Sequence, residues 1–221
     1  MRERAKVITI DGPAASGKSS VSRDVARSLG WSWVSTGIFY RGMAYIALKK
    51  SVPLSDIDAV ARLPFEKDWQ VELTEQMTRF FYNGNDITSD LESNEVGEIA
   101  SQISQNKKFR QALLEAQRQC AEGVDGLVAE GRDCGSVVFP SALVKIFLTA
   151  SSVDRAQRRA IQQGVDVEHV QASNERRDAR DEKTLKLISH LPEETHVIDT
   201  SSMTLEQVVE KVKAIAEGKI K

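Results

Sequence analysis

The sequence is poor in covalent and metal staples. Its 221 residues include two cysteines, Cys120 and Cys134, which form no CxxC and no ligand cluster. That usage suits a reducing cytoplasm, and a chain of this length buries enough surface to need neither a disulfide nor a structural metal. The three histidines, His169, His190 and His196, lack metal-ligand spacing and read as surface or packing residues. No apolar run approaches the roughly 18–20 residues of a membrane span, and no signal-peptide pattern precedes the strand-like run at Val7. A cytoplasmic location without membrane association is therefore expected. Internal repeats, low-complexity tracts and Pro/Gly/Ser linkers are also lacking, which favours one large domain or one domain with an inserted subdomain.

Neither sign of charge is in excess. Lys and Arg number 30 against 32 Asp and Glu, for a net charge of −2. Bulk binding to a nucleic acid polymer needs a basic surplus, so no such partner is expected. A local cationic pocket stays open, because net charge averages over the surface. Hydrophobic residues at 41% and charged residues at 28% exclude a disordered chain.

What is present is alternation. Strand-like runs and helical patterns alternate along most of the chain, which predicts an α/β fold with a parallel sheet. Val7 to Ile10 reads as a buried strand, Ser19 to Leu29 as a helix stopped by Gly30, Trp31 to Val34 as a strand and Ile38 to Lys49 as a helix. Trp31 and Trp33 read as strand packing rather than as base-stacking platforms. Residues 69–90 break the alternation. Trp69 to Leu73 and Met77 to Tyr82 look like strands, and Asn83-Gly84 is a two-residue hairpin signal. An antiparallel insertion outside the main sheet is expected here. Glu95 to Cys120 returns to helical spacing with a break near Asn106. Strands follow at Gly126 to Glu130, Val144 to Leu148 and His196 to Asp199. Ser152 is the expected N-cap of a helix ending at Gly164, and a polar helix is expected over Val167 to Lys183. Thr204 with Gln207 predicts a capping box for the last helix.

Gly12-Pro13-Ala14-Ala15-Ser16-Gly17-Lys18-Ser19 fits G-x-x-x-x-G-K-S/T between a strand and a helix. Glycines let the backbone wrap a phosphate, and the positive end of the following helix adds to an anion site. Lys18 is expected to reach the β- and γ-phosphates, and the Ser19 hydroxyl to hold Mg²⁺. This loop implies a nucleoside triphosphate without choosing between a kinase, a GTPase and a motor. The nearest string to a guanine reader, Asn106-Lys107-Lys108-Phe109, lacks the required Asp and lies in a helical stretch. A large ATPase needs more chain, so a small phosphotransferase remains.

Phosphoryl transfer needs positioning and positive charge around the moving group. Guanidinium forks suit phosphates better than ammonium groups. Of 16 arginines, seven fall between residues 132 and 180, with Lys145 the only lysine in that window. Arg132 follows a strand end and a Gly, where ligands of α/β folds sit. Arg176 and Arg180 read more simply as a solvated helix face. Glu130 and Asp133 flank the same strand end. Glu130 suits Mg²⁺-bound water or a capping role, and Asp133 suits a hydrogen bond from a base or hydroxyl.

Longer segments then carry a resemblance. Gly12 to Ser20, Thr36-Gly37-Ile38-Phe39-Tyr40-Arg41, Ala100-Ser101-Gln102 with Phe109-Arg110, and Arg155-Ala156-Gln157-Arg158-Arg159 all contribute. So do Arg177-Asp178 with Asp181, and Ile198-Asp199-Thr200. The most specific is Glu130-Gly131-Arg132-Asp133-Cys134-Gly135-Ser136-Val137-Val138-Phe139-Pro140, close to D/E-G-R-D-x-G-T/S-V-V-F-P. Together these resemble the bacterial-type cytidylate (CMP) kinase family of nucleoside monophosphate kinases, from about residue 7 to 215. The chain departs from the family pattern at Ser35 (often Asp), Glu92 (usually Arg), Lys108-Phe109, Thr184 (an Arg) and Ile188 (usually Pro).

The resemblance implies a P-loop nucleoside monophosphate kinase fold, with a central parallel sheet flanked by helices, an antiparallel acceptor-binding insertion and a lid. Its core would span about 1–35, 95–150 and 190–221, its acceptor region about 36–94 with the insertion at about 69–90, and its lid about 152–184. It implies ATP as donor with Mg²⁺, and CMP and dCMP as acceptors. Gly12, Pro13, Ala14, Ala15, Ser16, Gly17, Lys18, Ser19 and Ser20 would hold ATP, with Ser19 and Glu130 (through water) toward the metal. Arg41, Arg132 and Arg177 would clamp the acceptor phosphate, Ser101, Arg110 and Asp133 would read the cytosine edge, Asp181 would belong to a segment contacting acceptor phosphate and sugar, and Thr36 would also bind the acceptor. Arg155 and Arg159 would close over the transferring group. A monomer is expected. The rival readings are a kinase of the same fold with another acceptor such as UMP, and a non-catalytic nucleotide-binding module.

Overall fold

The computed structural model describes residues 5–74, 76–164, 171 and 191–220. β1 (Lys6–Asp11) is β-branched and buried on both faces, as the centre of a parallel sheet requires. Around it stand β2 (Ser32–Ser35), β6 (Gly126–Gly131), β7 (Val144–Thr149) and β8 (Thr195–Asp199), in the order β2-β6-β1-β7-β8 and all parallel. Ile10 pairs with Glu130 on one side and Ile146 on the other. From β1 the chain goes first to β2 on one side and later to β7 on the other. The carboxyl ends of the central strands therefore bound a crevice at a topological switch point.

Each face of the sheet has its own core. α1 (Lys18–Leu29) and α7 (Leu205–Ile220) pack Val21, Val25, Val208 and Val212 against Ile8, Ile10, Val128 and Ile146. On the other face α2 (Gly37–Lys49), α4 (Asn94–Ile103) and α5 (Lys107–Gln119) pack Met43, Ile46, Ile103 and Leu113 against Val34, Leu127 and Ala129. α3 (Ile57–Val60) is a single turn beside α5. Gly30 ends α1 at φ 66, with its N–H donating to the carbonyls of Ala26 and Arg27. The capping box of α7 is present: Thr204 N–H donates to Gln207 Oε1 at 2.9 Å, and Gln207 N–H to Thr204 Oγ1 at 3.3 Å. The break near Asn106 is a cap, its side chain accepting from Phe109 N–H at 3.1 Å.

β3 (Trp69–Leu73), β4 (Thr78–Tyr82) and β5 (Asn85–Asp86) form the separate antiparallel sheet. Asn83 and Gly84 take φ of 50° and 77°, the paired left-handed residues that a tight hairpin needs. The insertion is joined to the main sheet by one bridge, Trp33 to Thr74, with Trp33 N–H donating to Thr74 O at 3.0 Å. Beside it Thr78 Oγ1 accepts from Ser35 N–H and donates to Trp33 O, both at 3.1 Å.

Three local expectations shift. The N-cap of α6 (Ser152–Gln163) is Ser151 rather than Ser152, because its hydroxyl accepts from Asp154 N–H at 3.1 Å. Trp31 lies before β2, its indole covering Gly126 so closely that a Cβ there would stand 2.1 Å from the ring. α1 begins at Lys18, one residue early. The helix expected over Val167–Lys183 falls, apart from Gln171, outside the described residues.

Candidate active site

The loop between β1 and α1 is a tight wrap. Gly12 has φ 151°, and a Cβ there would meet the Leu148 carbonyl oxygen at 2.3 Å, so only glycine lets the loop pass the end of β7. Three cations donate to three successive loop carbonyls: Arg132 Nη1 to Gly12 at 3.3 Å, Lys18 Nζ to Pro13 at 2.7 Å and Arg155 Nη1 to Ala14 at 3.1 Å. They come from the β6 strand end, from α1 and from α6. Arg155 is buried, whereas Lys18 and Arg132 line a cleft of about 620 Å³ at the carboxyl ends of the strands. Ala14, Ala15, Gly17, Ser19 and Ser20 line it too, while Gly12, Pro13 and Ser16 shape the loop from behind.

Ser19, at the start of α1, donates to both oxygens of Glu130, at 2.8 and 2.9 Å. Glu130 is buried at 4% exposure. A hydroxyl and a carboxylate brought together beside a phosphate loop form an all-oxygen donor set that fits Mg²⁺.

The acceptor side is built by α2, α4, α5 and the turn after β6. Arg41 on α2 donates from Nη1 to the Leu91 carbonyl and lines the cleft. Thr36, just before α2, gives its hydroxyl to the Glu130 carbonyl at 2.8 Å, so it also ties the α2 start to β6. Ser101 on α4 lines the cleft, and its carbonyl accepts from Ser104 Oγ at 3.0 Å. Arg110 on α5 donates to the Ser104 carbonyl at 3.1 Å and forms a close ion pair with Asp133. Arg110 and Asp133 are 23 residues apart in sequence and share one wall of the cleft. Among the expected residues, Arg177, Asp181 and the side chain of Arg159 lie outside the described residues. Arg158 donates to Thr200 Oγ1 at 3.0 Å and to the Thr200 carbonyl at 2.6 Å, anchoring α6 to the segment after β8.

Two groups escaped the sequence reasoning. Asp11, the last residue of β1, is buried, and its two carboxylate oxygens accept from the backbone N–H groups of Cys134 and Gly135 at 2.8 Å each. Burial pushes this carboxyl up from 3.8 to about 6, against the pull of the two N–H donors. Its signal was position, an acid immediately before the first loop glycine. Tyr40 also lines the cleft, and burial pushes its phenol up to about 12. It sits within a quoted motif, but spacing gives it no role. Burial, then the Asp11 carboxylate, holds the Cys134 thiol well above its ordinary range, so it stays a protonated, unreactive thiol.

Comparison with known proteins agrees with this geometry. A family model described as cytidylate kinase matches residues 8–218. A protein named cytidylate kinase from Bdellovibrio bacteriovorus is 48% identical, covering 97% of this chain and 99% of its own length. One of the same name from Mycobacterium leprae is 38% identical over 92% of each chain. A solved gluconokinase from Sinorhizobium meliloti superposes with a TM-score of 0.51 at 16% identity, covering 99% of this chain and 95% of its own, and so supports the fold alone. With a cytidylate kinase model matching residues 8–218 and relatives of that name 48% and 38% identical over more than nine-tenths of the chain, the chain belongs to the cytidylate kinase family.

Proposed function

We propose that this chain transfers the γ-phosphoryl group of ATP to CMP and dCMP, giving CDP or dCDP and ADP. The observation that carries the reading is the sharing of one cleft by the Lys18 loop and the Arg110–Asp133 pair, with Arg132 between them. The loop side suits the donor phosphates. The paired guanidinium and carboxylate suit a base edge that both donates and accepts. An oxygen of the acceptor monophosphate attacks the γ-phosphorus as the bond to the β-phosphate oxygen breaks. That oxygen is already anionic, so no general base is required.

The loop N–H groups and Lys18 hold the β- and γ-phosphates, while Arg41, Arg132 and Arg177 orient the acceptor phosphate. Thr36 supports that side by fixing the start of α2. Arg159 neutralises charge on the moving group while Arg155, buried on the Ala14 carbonyl, braces the loop beneath it, Ser101 joins Arg110 and Asp133 at the cytosine edge, and Asp181 takes the sugar. Ser19, and Glu130 through water, would hold Mg²⁺, which when bound offsets charge on the nucleotide phosphates. The chain divides functionally into a core, an acceptor region over about 36–94 and a lid over about 152–184 whose closure excludes water. It works as a monomer in the cytoplasm.

Steady-state kinetics with CMP, dCMP, UMP and AMP test the reading. Preference for CMP and dCMP, with CDP formation abolished by Lys18→Ala, is the expected result. Preference for UMP or AMP would overturn the acceptor assignment, and CDP formation that survives Lys18→Ala would overturn the donor site.

A further inference from the structure

Tyr40 lies on α2, one residue before Arg41, and lines the acceptor side of the cleft. Its ring carries the Arg110 guanidinium, whose central carbon stands 5.4 Å from the ring centroid. A cation within about 6 Å of an aromatic face is attracted by the ring quadrupole. Behind it, the ring meets Phe109 edge-on, with centroids 5.9 Å apart at 71°. Phe109 is fully buried in the core under α5, so the platform cannot tilt without moving packed side chains. The guanidinium also donates to the Ser104 carbonyl and to the Asp133 carboxylate. The ring, the Ser104 carbonyl and the Asp133 carboxylate together hold a long side chain that otherwise samples many rotamers.

We propose that Tyr40 is a positioning residue for acceptor choice: its ring fixes the plane of the Arg110–Asp133 pair, and so the direction in which that pair reads the acceptor's base. The inference rests on the acceptor side proposed above. A base edge is distinguished by donors and acceptors presented at fixed positions. A guanidinium that slips to another rotamer keeps its charge and loses its aim. Removal of the ring therefore erodes discrimination and affinity for the correct base more than turnover at saturation. The hydroxyl is secondary, because phenylalanine offers a comparable π face.

The test compares wild type with Tyr40→Phe, Tyr40→Leu and Tyr40→Met over CMP, UMP and AMP, with melting temperatures for all four. Leucine shortens the side chain and methionine fills the gap without a π face, so a folded ring-less variant is available if one of them fails. The readout is the ratio of kcat/KM between the best and next-best acceptor of the wild type. It falls at least about tenfold in Tyr40→Leu and Tyr40→Met, mainly through KM, while Tyr40→Phe keeps it within about threefold. A ratio kept within about twofold in a folded ring-less variant overturns the role of Tyr40. So does a loss confined to kcat, or a Tyr40→Phe variant as impaired as Tyr40→Leu. A wild type that prefers UMP or AMP overturns the cytidylate reading instead, and the ratio then tests Tyr40 for that other base.

Discussion

Glu92 places an exposed carboxylate in a cleft also lined by Lys18, Arg41, Arg110 and Arg132. A negative charge at the mouth of a site for a dianion opposes binding, and water and salt screen the effect. Glu92→Gln is expected to lower KM for CMP about two- to threefold at low ionic strength, the gain shrinking in about 0.5 M salt. Initial-rate kinetics at both salt concentrations check this; an unchanged KM at low salt counts against it. Asp11 poses the opposite problem, an acid kept away from water. Its folded carboxyl titrates at about 6 against an ordinary 3.8. Between those values the folded state binds a proton that the unfolded chain does not, so stability falls as pH rises. The contribution, on the order of 3 kcal/mol, is fully present below about pH 4 and lost above about pH 6. Urea unfolding of wild type and Asp11→Asn should show their stability difference moving across that window and constant above about pH 7. A difference that stays flat from about pH 4 to 8 removes the argument.

Among the elements, the legible ones have their cause inside a few consecutive residues. The Asn83-Gly84 hairpin and the Thr204–Gln207 capping box were readable because the chemistry that makes them is local. Ser151 and Ser152 offer the same hydroxyl at adjacent positions, and spacing cannot say which one accepts the Asp154 N–H. The Trp33–Thr74 bridge joins residues far apart in sequence, and no pattern in either segment announces it. The site divides the same way. The loop from Gly12 to Ser19 is contiguous and legible as a pattern, whereas the partners of Asp11 and Tyr40 come from distant segments that only the fold brings near. Gly42, inside α2, is another such position. A Cβ there would meet the Phe80 ring at 2.1 Å, and Phe80 is itself stacked on Trp69 with centroids 5.5 Å apart. Alanine gains about 1 kcal/mol in helix propensity. Overpacking a buried aromatic cluster costs about 1–3 kcal/mol, so the net change is a loss. Thermal unfolding of Gly42→Ala should show a melting temperature several degrees lower; an unchanged or higher value means the ring moves aside freely.

For the molecule as a whole, the parallel sheet gathers its chemistry at one end. β1 delivers the phosphate loop, and β6 delivers Glu130, Arg132 and Asp133 beside it. Arg132 donates to the Gly12 carbonyl while lining the cleft, which under the proposed function sets it between donor and acceptor. Arg132→Ala is expected to lower kcat/KM for CMP at least about a hundredfold, near 3 kcal/mol of transition-state stabilisation. A loss under about threefold would remove Arg132 from the transfer machinery. The seam between the two sheets has a further consequence, for assembly. β2 is an edge strand, and the Trp33–Thr74 bridge with Thr78 occupies its outward hydrogen-bonding groups. Among the described residues, β8 on the opposite edge carries no such cover. Sheets polymerise edge to edge only while each new unit brings two free edges. With its β2 edge covered by its own hairpin, the parallel sheet offers a neighbouring copy no free strand to pair with on that side.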